Sequence, residues 1–427
     1  MNTEEIKHVI KSQREEIEEV FQRERIVERD INTEELKKYL THPNVLAILG
    51  VRRCGKSIFS CLMLRNENYG YVNFFDERFI GLRAEELTHV LQACYELHGD
   101  LDYIVLDEIQ NVPGWERFVS RIRTSKRVII TGSNSQLLSG ELSTFLTGRH
   151  IDFVLFPFNF REYLRWHSIN IEENWEYSEK NVAEVKSALE HYLYIGGYPE
   201  VYTFGKKILG TIYMDIIEHD VVRRYAIKKP SALRNLARYI LSNFSNEITY
   251  SKLKGITGLR DIHTVSRYLT YLCNAYLFFI LERFSYKLKE QILAPKKVYC
   301  IDSGLINALS FSTSRNLGRM IENLVFIELM RRKHYRDMDM EVYYWRDYQQ
   351  REVDFVIKVG NRVVQLIQVT DASGIDEVER REIDALIKAG ELLDCSEMLI
   401  LTWDVEDTLK KGGHTIQLLP LWKWLLM

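Results

Sequence analysis

The run Val45-Leu46-Ala47-Ile48-Leu49 passes directly into Gly50-Val51-Arg52-Arg53-Cys54-Gly55-Lys56-Ser57. Five consecutive apolar residues, bounded by Pro43 and Gly50, predict a strand buried on both faces, as in a parallel sheet. The next eight residues fit G-x-x-x-x-G-K-[ST] at every fixed position, and a helix-length stretch follows them. Glycines in such a loop let the backbone curl so that its N–H groups face phosphate oxygens, and the helix adds its positive N-terminal end. Lys56 would reach the β and γ phosphates, and the Ser57 hydroxyl would ligate Mg2+. Gly50, Arg52, Arg53, Cys54, Gly55, Lys56, Ser57 and Ile58 are therefore the expected nucleotide-binding residues. Cys54 reads as loop filler, because nothing near it in sequence is placed to activate a thiol.

Working outward, similar apolar runs recur at Tyr71-Val72-Asn73-Phe74, Tyr103-Ile104-Val105-Leu106 and Val128-Ile129-Ile130, with helix-length stretches between them. That alternation predicts an α/β domain with a parallel sheet. The third run ends in Asp107-Glu108, so both carboxylates should emerge at the carboxyl edge beside the loop. Asp107 would hold the metal and Glu108 would polarise the attacking water. The fourth leads into Thr131-Gly132-Ser133-Asn134-Ser135, where polar side chains such as Ser133 and Asn134 would sense a γ-phosphate or cap a helix. Arg149 has two readings, a surface arginine or an arginine finger. A finger would act in cis or from a neighbouring subunit of a homo-oligomer.

The whole chain has 427 residues, enough for several domains. It is 46% hydrophobic and 27% charged, with seven prolines, which suits packed cores rather than long disordered linkers. A net charge of −3 gives no global attraction to nucleic acid, so any such binding needs a local patch. The six cysteines are scattered without a C-x-x-C pair to suggest zinc or redox chemistry, and scattered single thiols suggest a reducing compartment. The polar, acidic start is unlike a secretory leader, and no apolar run approaches a membrane span. A soluble cytoplasmic protein with no membrane contact is expected.

These residues resemble the archaeal and bacterial AAA-type P-loop ATPases whose C-terminal domain has no assigned function and a degenerate restriction-endonuclease-like fold. The resemblance runs over nearly the whole chain. It begins at Ile26-Val27-Glu28-Arg29-Asp30 and takes in the loop, Leu106-Asp107-Glu108-Ile109-Gln110, Thr131-Gly132-Ser133 and Leu146-Thr147-Gly148-Arg149. It continues through Phe156-Pro157-Phe158-Asn159-Phe160-Arg161-Glu162-Tyr163, then Gly196-Gly197-Tyr198-Pro199-Glu200, a lid signature. In the last third it carries Ile301-Asp302-Ser303-Gly304-Leu305, Glu322-Asn323-Leu324-Val325 and Glu352-Val353-Asp354-Phe355. It implies ATP as the nucleotide, hydrolysis of that ATP, and a winged-helix module in the middle. The expected organisation is a P-loop domain over 1–160, a helical lid over 161–230, a winged helix over 231–300 and a nuclease-like domain over 301–427.

The middle residues can be weighed against that implication. A short strand and helix from Ile248 lead to a second amphipathic helix, Ile262 to Leu272, carrying His263, Ser266 and Arg267, which is a helix-turn-helix order. Residues 221–246 hold Arg223, Arg224, Lys228, Lys229, Arg234 and Arg238 and no acidic residue. This basic stretch would track a DNA backbone, or it would be a solvated face on a protein-packing module. In the last domain, Glu322 and Asp354 stand where nuclease carboxylates would be. The usual Ile-Glu-Val-Lys is here Ile367-Gln368-Val369-Thr370, which removes a charged metal ligand and the lysine, so nuclease activity is not expected. Three readings follow: an ATP-driven switch, a nucleotide-dependent scaffold with little turnover, and a motor acting on DNA.

Overall fold

The computed structural model describes residues 1–41, 43–135, 146, 148–310, 316–336 and 339–427. Thr147, within the Leu146 to Arg149 stretch quoted above, lies outside the described residues. The chain divides into two compact units, one of residues 1–157 with 274–276, the other of residues 158–273 with 277–427.

The first unit is built on five strands: β1 (Val45–Leu49), β2 (Tyr69–Asn73), β3 (Tyr103–Asp107), β4 (Arg127–Gly132) and β5 (His150–Val154). Their order is β2-β3-β4-β1-β5, every pairing parallel. All five β1 residues are buried, as its unbroken apolar run requires of a strand covered on both faces. Helix α1 (Thr3–Arg23) starts from an Asn2–Glu5 capping box and packs on the helix Leu87–His98. Its Gln13 amide pairs with the Asn73 backbone, donating to the carbonyl and accepting from the N–H, each at 2.9 Å. The outer strand β2 is thereby covered by a helix.

In the second unit, α2 (Glu179–Ile195), α3 (Pro199–Phe204) and α4 (Pro230–Ser242) lead to a short strand β6 (Asn246–Ile248). Helices α5 (Tyr250–Thr257) and α6 (Ile262–Asn274) follow, then strands β7 (Phe278–Leu281) and β8 (Lys296–Cys300). The three strands form an antiparallel sheet in the order β6-β8-β7. Helices α7 (Ser303–Leu309) and α8 (Leu317–Tyr335) connect it to a six-stranded mixed sheet. That sheet is made of β9 (Met340–Arg346), β10 (Glu352–Val359), β11 (Arg362–Val369), β12 (Met398–Thr402), β13 (Asp407–Lys411) and β14 (His414–Pro420), ordered β13-β14-β12-β11-β10-β9. Phe326 of α8 stacks on Tyr299 of β8 with centroids 4.0 Å apart. The helix Arg380–Leu393 buries Ala385, Leu386 and Ala389 with Val356 and Leu366 of the sheet. The chain is thus α/β, with a parallel central sheet and a separate C-terminal mixed sheet.

Candidate functional site

The loop after β1 is shaped by contacts that leave its geometry little freedom. Gly50 has φ +145°, and a Cβ there would lie 2.2 Å from the Leu155 carbonyl oxygen, which no larger residue tolerates. Cys54 is fully buried and its thiol donates to the same carbonyl at 3.3 Å. Burial pushes that thiol above its ordinary pKa, so it is a packed group and not a poised nucleophile. Arg29 is buried, and its guanidinium donates to the Cys54 carbonyl at 3.2 Å and the Phe156 carbonyl at 2.6 Å. Lys56 begins the next helix, Lys56–Met63, and its ammonium donates to the Gly50 and Val51 carbonyls, each at 3.1 Å. Arg52 lies over the Phe75 ring, while Arg53 sits in the left-handed region at φ 64°. Ser57 and Ile58 are half-buried at the helix start.

The acidic pair stands at the same, carboxyl edge of the sheet. Asp107 is buried, accepts the Tyr71 hydroxyl at 2.7 Å and accepts the Thr131 hydroxyl on its other oxygen. Burial, and then the charge of Asp107, hold the Tyr71 phenol far above its ordinary pKa, so it stays a proton donor. Glu108 adopts φ 51°; its N–H donates to Thr131 Oγ1 at 3.0 Å, and its carboxylate accepts from the Gln110 side chain. Thr131 therefore joins both members of the pair, a role that reading the sequence assigned to no residue. It can do so because β4 lies between β1 and β3, which puts its last residues between the loop and the carboxylates.

Ser133 and Asn134 follow Thr131 and are both fully buried. Arg149 is placed elsewhere. It is exposed at the amino end of β5, and its carbonyl accepts the Val45 N–H at the amino end of β1. Five residues of strand, roughly 16 Å, separate that edge from the edge bearing the loop, beyond the reach of one side chain. The reading of Arg149 as a finger in cis is corrected by this geometry.

The donor set suits the expected ligands. A serine hydroxyl and a buried carboxylate are hard oxygen donors of the kind magnesium takes, and Lys56 with the loop amides offers positive charge to phosphate.

A loop of this sequence at the head of a parallel sheet, with an acidic pair two strands away, defines a P-loop nucleoside triphosphatase. Residues 42–164 match an AAA domain, and residues 186–316 and 317–424 match two domains of unknown function. The chain is 34% identical over 430 residues to an uncharacterized protein of Methanocaldococcus jannaschii, covering 96% of this chain and 93% of that one. It is 27% identical over 358 residues to an uncharacterized protein of Haemophilus influenzae, covering 79% and 86%. Among solved structures, the Walker-type ATPase PABY2304 of Pyrococcus abyssi aligns at 17% identity with a TM-score of 0.44, over 67% of this chain and 97% of that one. The chain belongs to the family of AAA-type P-loop ATPases that carry C-terminal domains of unknown function.

Proposed function

We propose that the chain binds ATP with Mg2+ at the Gly50–Ser57 loop, hydrolyses it, and uses the cycle to switch or drive the modules of its C-terminal part. The observation that carries this reading is the Thr131 bridge, which ties the metal-holding candidate Asp107 to the backbone of the water-activating candidate Glu108. Lys56, released from the Gly50 and Val51 carbonyls, would pair with the β and γ phosphates, and Ser57 and Asp107 would hold the metal. Bound Mg2+ would neutralise charge on the transferred phosphoryl group. Glu108 would orient and deprotonate the attacking water, with Ser133 and Asn134 beside the γ-phosphate. Arg149 acts, if as a finger, from a neighbouring copy, which makes a homo-oligomer part of the proposal.

A DNA partner has one specific support. Arg223, Arg224, Lys228, Lys229 and Arg238 are exposed, as are His263 and Arg267 of α6, whereas Arg234 is paired with Glu218 at 2.7 Å. The order helix, strand, helix, helix, strand, strand with an antiparallel sheet fits a winged helix over 231–300, between the lid of 161–230 and the last domain of 301–427. We place the protein in the cytoplasm: the six cysteines are free, and no helix among the described residues is long and apolar enough to cross a membrane. Nuclease activity is not part of the proposal, since Gln368 and Thr370 replace the charged groups it needs.

Mg2+-dependent ATP hydrolysis by wild type, E108Q and K56A, with and without duplex DNA, tests the reading. E108Q should bind ATP normally and lose roughly 10²- to 10⁴-fold in kcat, while K56A should lose binding. Stimulation by DNA that weakens with salt supports the motor reading. Wild-type turnover no faster than E108Q under any condition leaves a nucleotide-dependent scaffold instead.

A further inference from the structure

The carboxylates of the last domain do not stand open. Lys297 of β8 is 3% exposed, and its ammonium lies 2.8 Å from Glu322 of α8, 2.6 Å from Glu352 and 3.1 Å from Asp354, the last two on β10. An ammonium has three N–H donors and no acceptor; two of them are hydrogen-bonded to Glu322 and Asp354, and Glu352 adds a third carboxylate at ion-pair distance. Tyr299, two residues along and on the same side of β8, donates its hydroxyl to Glu322 at 2.7 Å. The second oxygen of Asp354 accepts the Val369 N–H at 3.1 Å.

Oxygen donors gathered from separate elements around one buried cation are how proteins hold hard divalent metals. A nuclease-like domain would carry a metal in such a place, and the residues here do not fit one. The centre is filled by the Lys297 Nζ atom, and Gln368 stands where a charged ligand is needed. With Lys297 in place, no group of three His, Cys, Asp or Glu side chains among the described residues is disposed to hold a metal.

We propose that Lys297 is the resident cation of this centre: its ammonium stands in for a divalent metal and closes a carboxylate site that takes Mn2+ or Mg2+ only once that ammonium is removed. The charge balance supports this. One ammonium faces three carboxylates; without it Arg346, 3.8 Å from Glu352, still balances that one, while Glu322 and Asp354 favour the entry of a proton or another cation. The same domain holds two further buried acceptors. Gln368 Oε1 is buried without a hydrogen-bond partner, as is Glu382 Oε2. A polar cavity of about 420 Å³, lined by Lys297, Glu352, Arg346, Glu247 and Arg319, offers a path for a small ion.

The test is a titration of metal-stripped full-length protein with MnCl2, without nucleotide. Free Mn2+ is followed by electron paramagnetic resonance and stability by thermal unfolding. K297A should bind one more Mn2+ per chain than wild type, with its Tm rising by about 5 °C or more at saturation. Adding D354N should abolish both effects. In the wild type, D354N should leave the Mn2+ isotherm unchanged. The charge-balanced K297M/E322Q should fold without metal and show no rise in Tm. A folded K297A with wild-type stoichiometry and no shift overturns the proposal. So does a wild type that loses a Mn2+ on D354N, because metal and ammonium would then occupy different places. If K297A does not fold in metal-free buffer, refolding in Mn2+ supports the proposal. Failure in Mn2+ while K297M/E322Q folds overturns it.

Discussion

The Gly197 N–H donates to the Asp302 carboxylate at 2.6 Å, and the other oxygen of that carboxylate accepts the Leu305 N–H at 3.1 Å, capping α7. Two stretches far apart in sequence, Gly196 to Glu200 and Ile301 to Leu305, are therefore halves of one contact. The approach is close enough to exclude side chains. A Cβ on Gly196 would meet Asp302 Oδ1 at 2.2 Å, one on Gly197 the Phe158 carbonyl at 2.2 Å, and one on Gly304 the Ile195 carbonyl at 2.1 Å. Because the obstacle at Gly197 is backbone, G197A cannot be absorbed by a rotamer change. It should cost roughly 2–3 kcal/mol, seen as a drop of about 4–12 °C in the unfolding midpoint of the second unit. A midpoint within a degree of wild type would mean that the contact yields freely.

Asp302 also gives this contact a pH dependence. Its carboxyl is raised to about 6 from an ordinary value of 3.8, by burial above all, against the lowering influence of the Gly197, Leu305 and Gly304 amides and of Arg331. Between those two values the folded chain keeps a proton that the unfolded chain has released, so the Asp302 contribution to stability falls as pH rises through the window. The Tm difference between wild type and the non-titrating D302N should accordingly favour wild type more at pH 4 than at pH 6.5. A difference that is flat, or that grows with pH, contradicts the assignment.

Thr131 supplies the second link of this kind. Its hydroxyl is donor to Asp107 and acceptor for the Glu108 N–H, so T131A removes both bonds at once. If the proposed hydrolysis is correct, kcat should fall about 10- to 100-fold, from roughly 1.4–2.7 kcal/mol of lost positioning, with KM for ATP changed little. T131S, which keeps the hydroxyl, should recover most of the rate. A T131A enzyme at wild-type kcat would leave Thr131 a packing residue.

What could be read from the sequence, and what could not, follows from how local each signal is. The loop and strands β1, β3 and β4 announce themselves through contiguous residues: an apolar run, fixed glycines, two acids at a strand end. Thr131 carries no such mark, because its role depends on β4 lying between β1 and β3, an order that no short-range pattern encodes. Arg149 misleads for the same reason, since a basic residue before a strand is compatible with either edge of the sheet. Lys297 was hidden in a two-residue basic step, Lys296-Lys297, where only pleat alternation sends one side chain into a carboxylate cluster contributed by residues 25 to 57 positions away.

Cys54 tests the loop from the chemical side. With its thiol buried, bonded to the Leu155 carbonyl and raised in pKa by desolvation, it should resist alkylation by iodoacetamide at pH 8 until the protein is denatured. Mass spectrometry of the loop peptide reads this directly. C54A should keep ATP hydrolysis within about threefold of wild type, as expected of a side chain that packs rather than reacts. Rapid labelling of the native thiol, or loss of turnover in C54A, would reopen the case for a reactive cysteine.

Arg29 lies well before the loop and is the residue whose removal should separate pinning from phosphate contact. Its guanidinium spans the Cys54 and Phe156 carbonyls from a buried position, so R29A removes two buried hydrogen bonds and leaves a cavity beside Gly55. Hydrogen bonds to a charged donor contribute about 1.5–3 kcal/mol each, enough for their loss to lower the midpoint of the first unit by several degrees. The loop, no longer held at Cys54, should also lose affinity: KM for ATP, and the concentration at which ATP raises Tm, should both increase about tenfold. R29K should restore little, because an ammonium lacks the planar fork that reaches two carbonyls at once. If R29A loses stability while its ATP affinity stays within twofold of wild type, Arg29 supports the fold and the loop holds its shape without it.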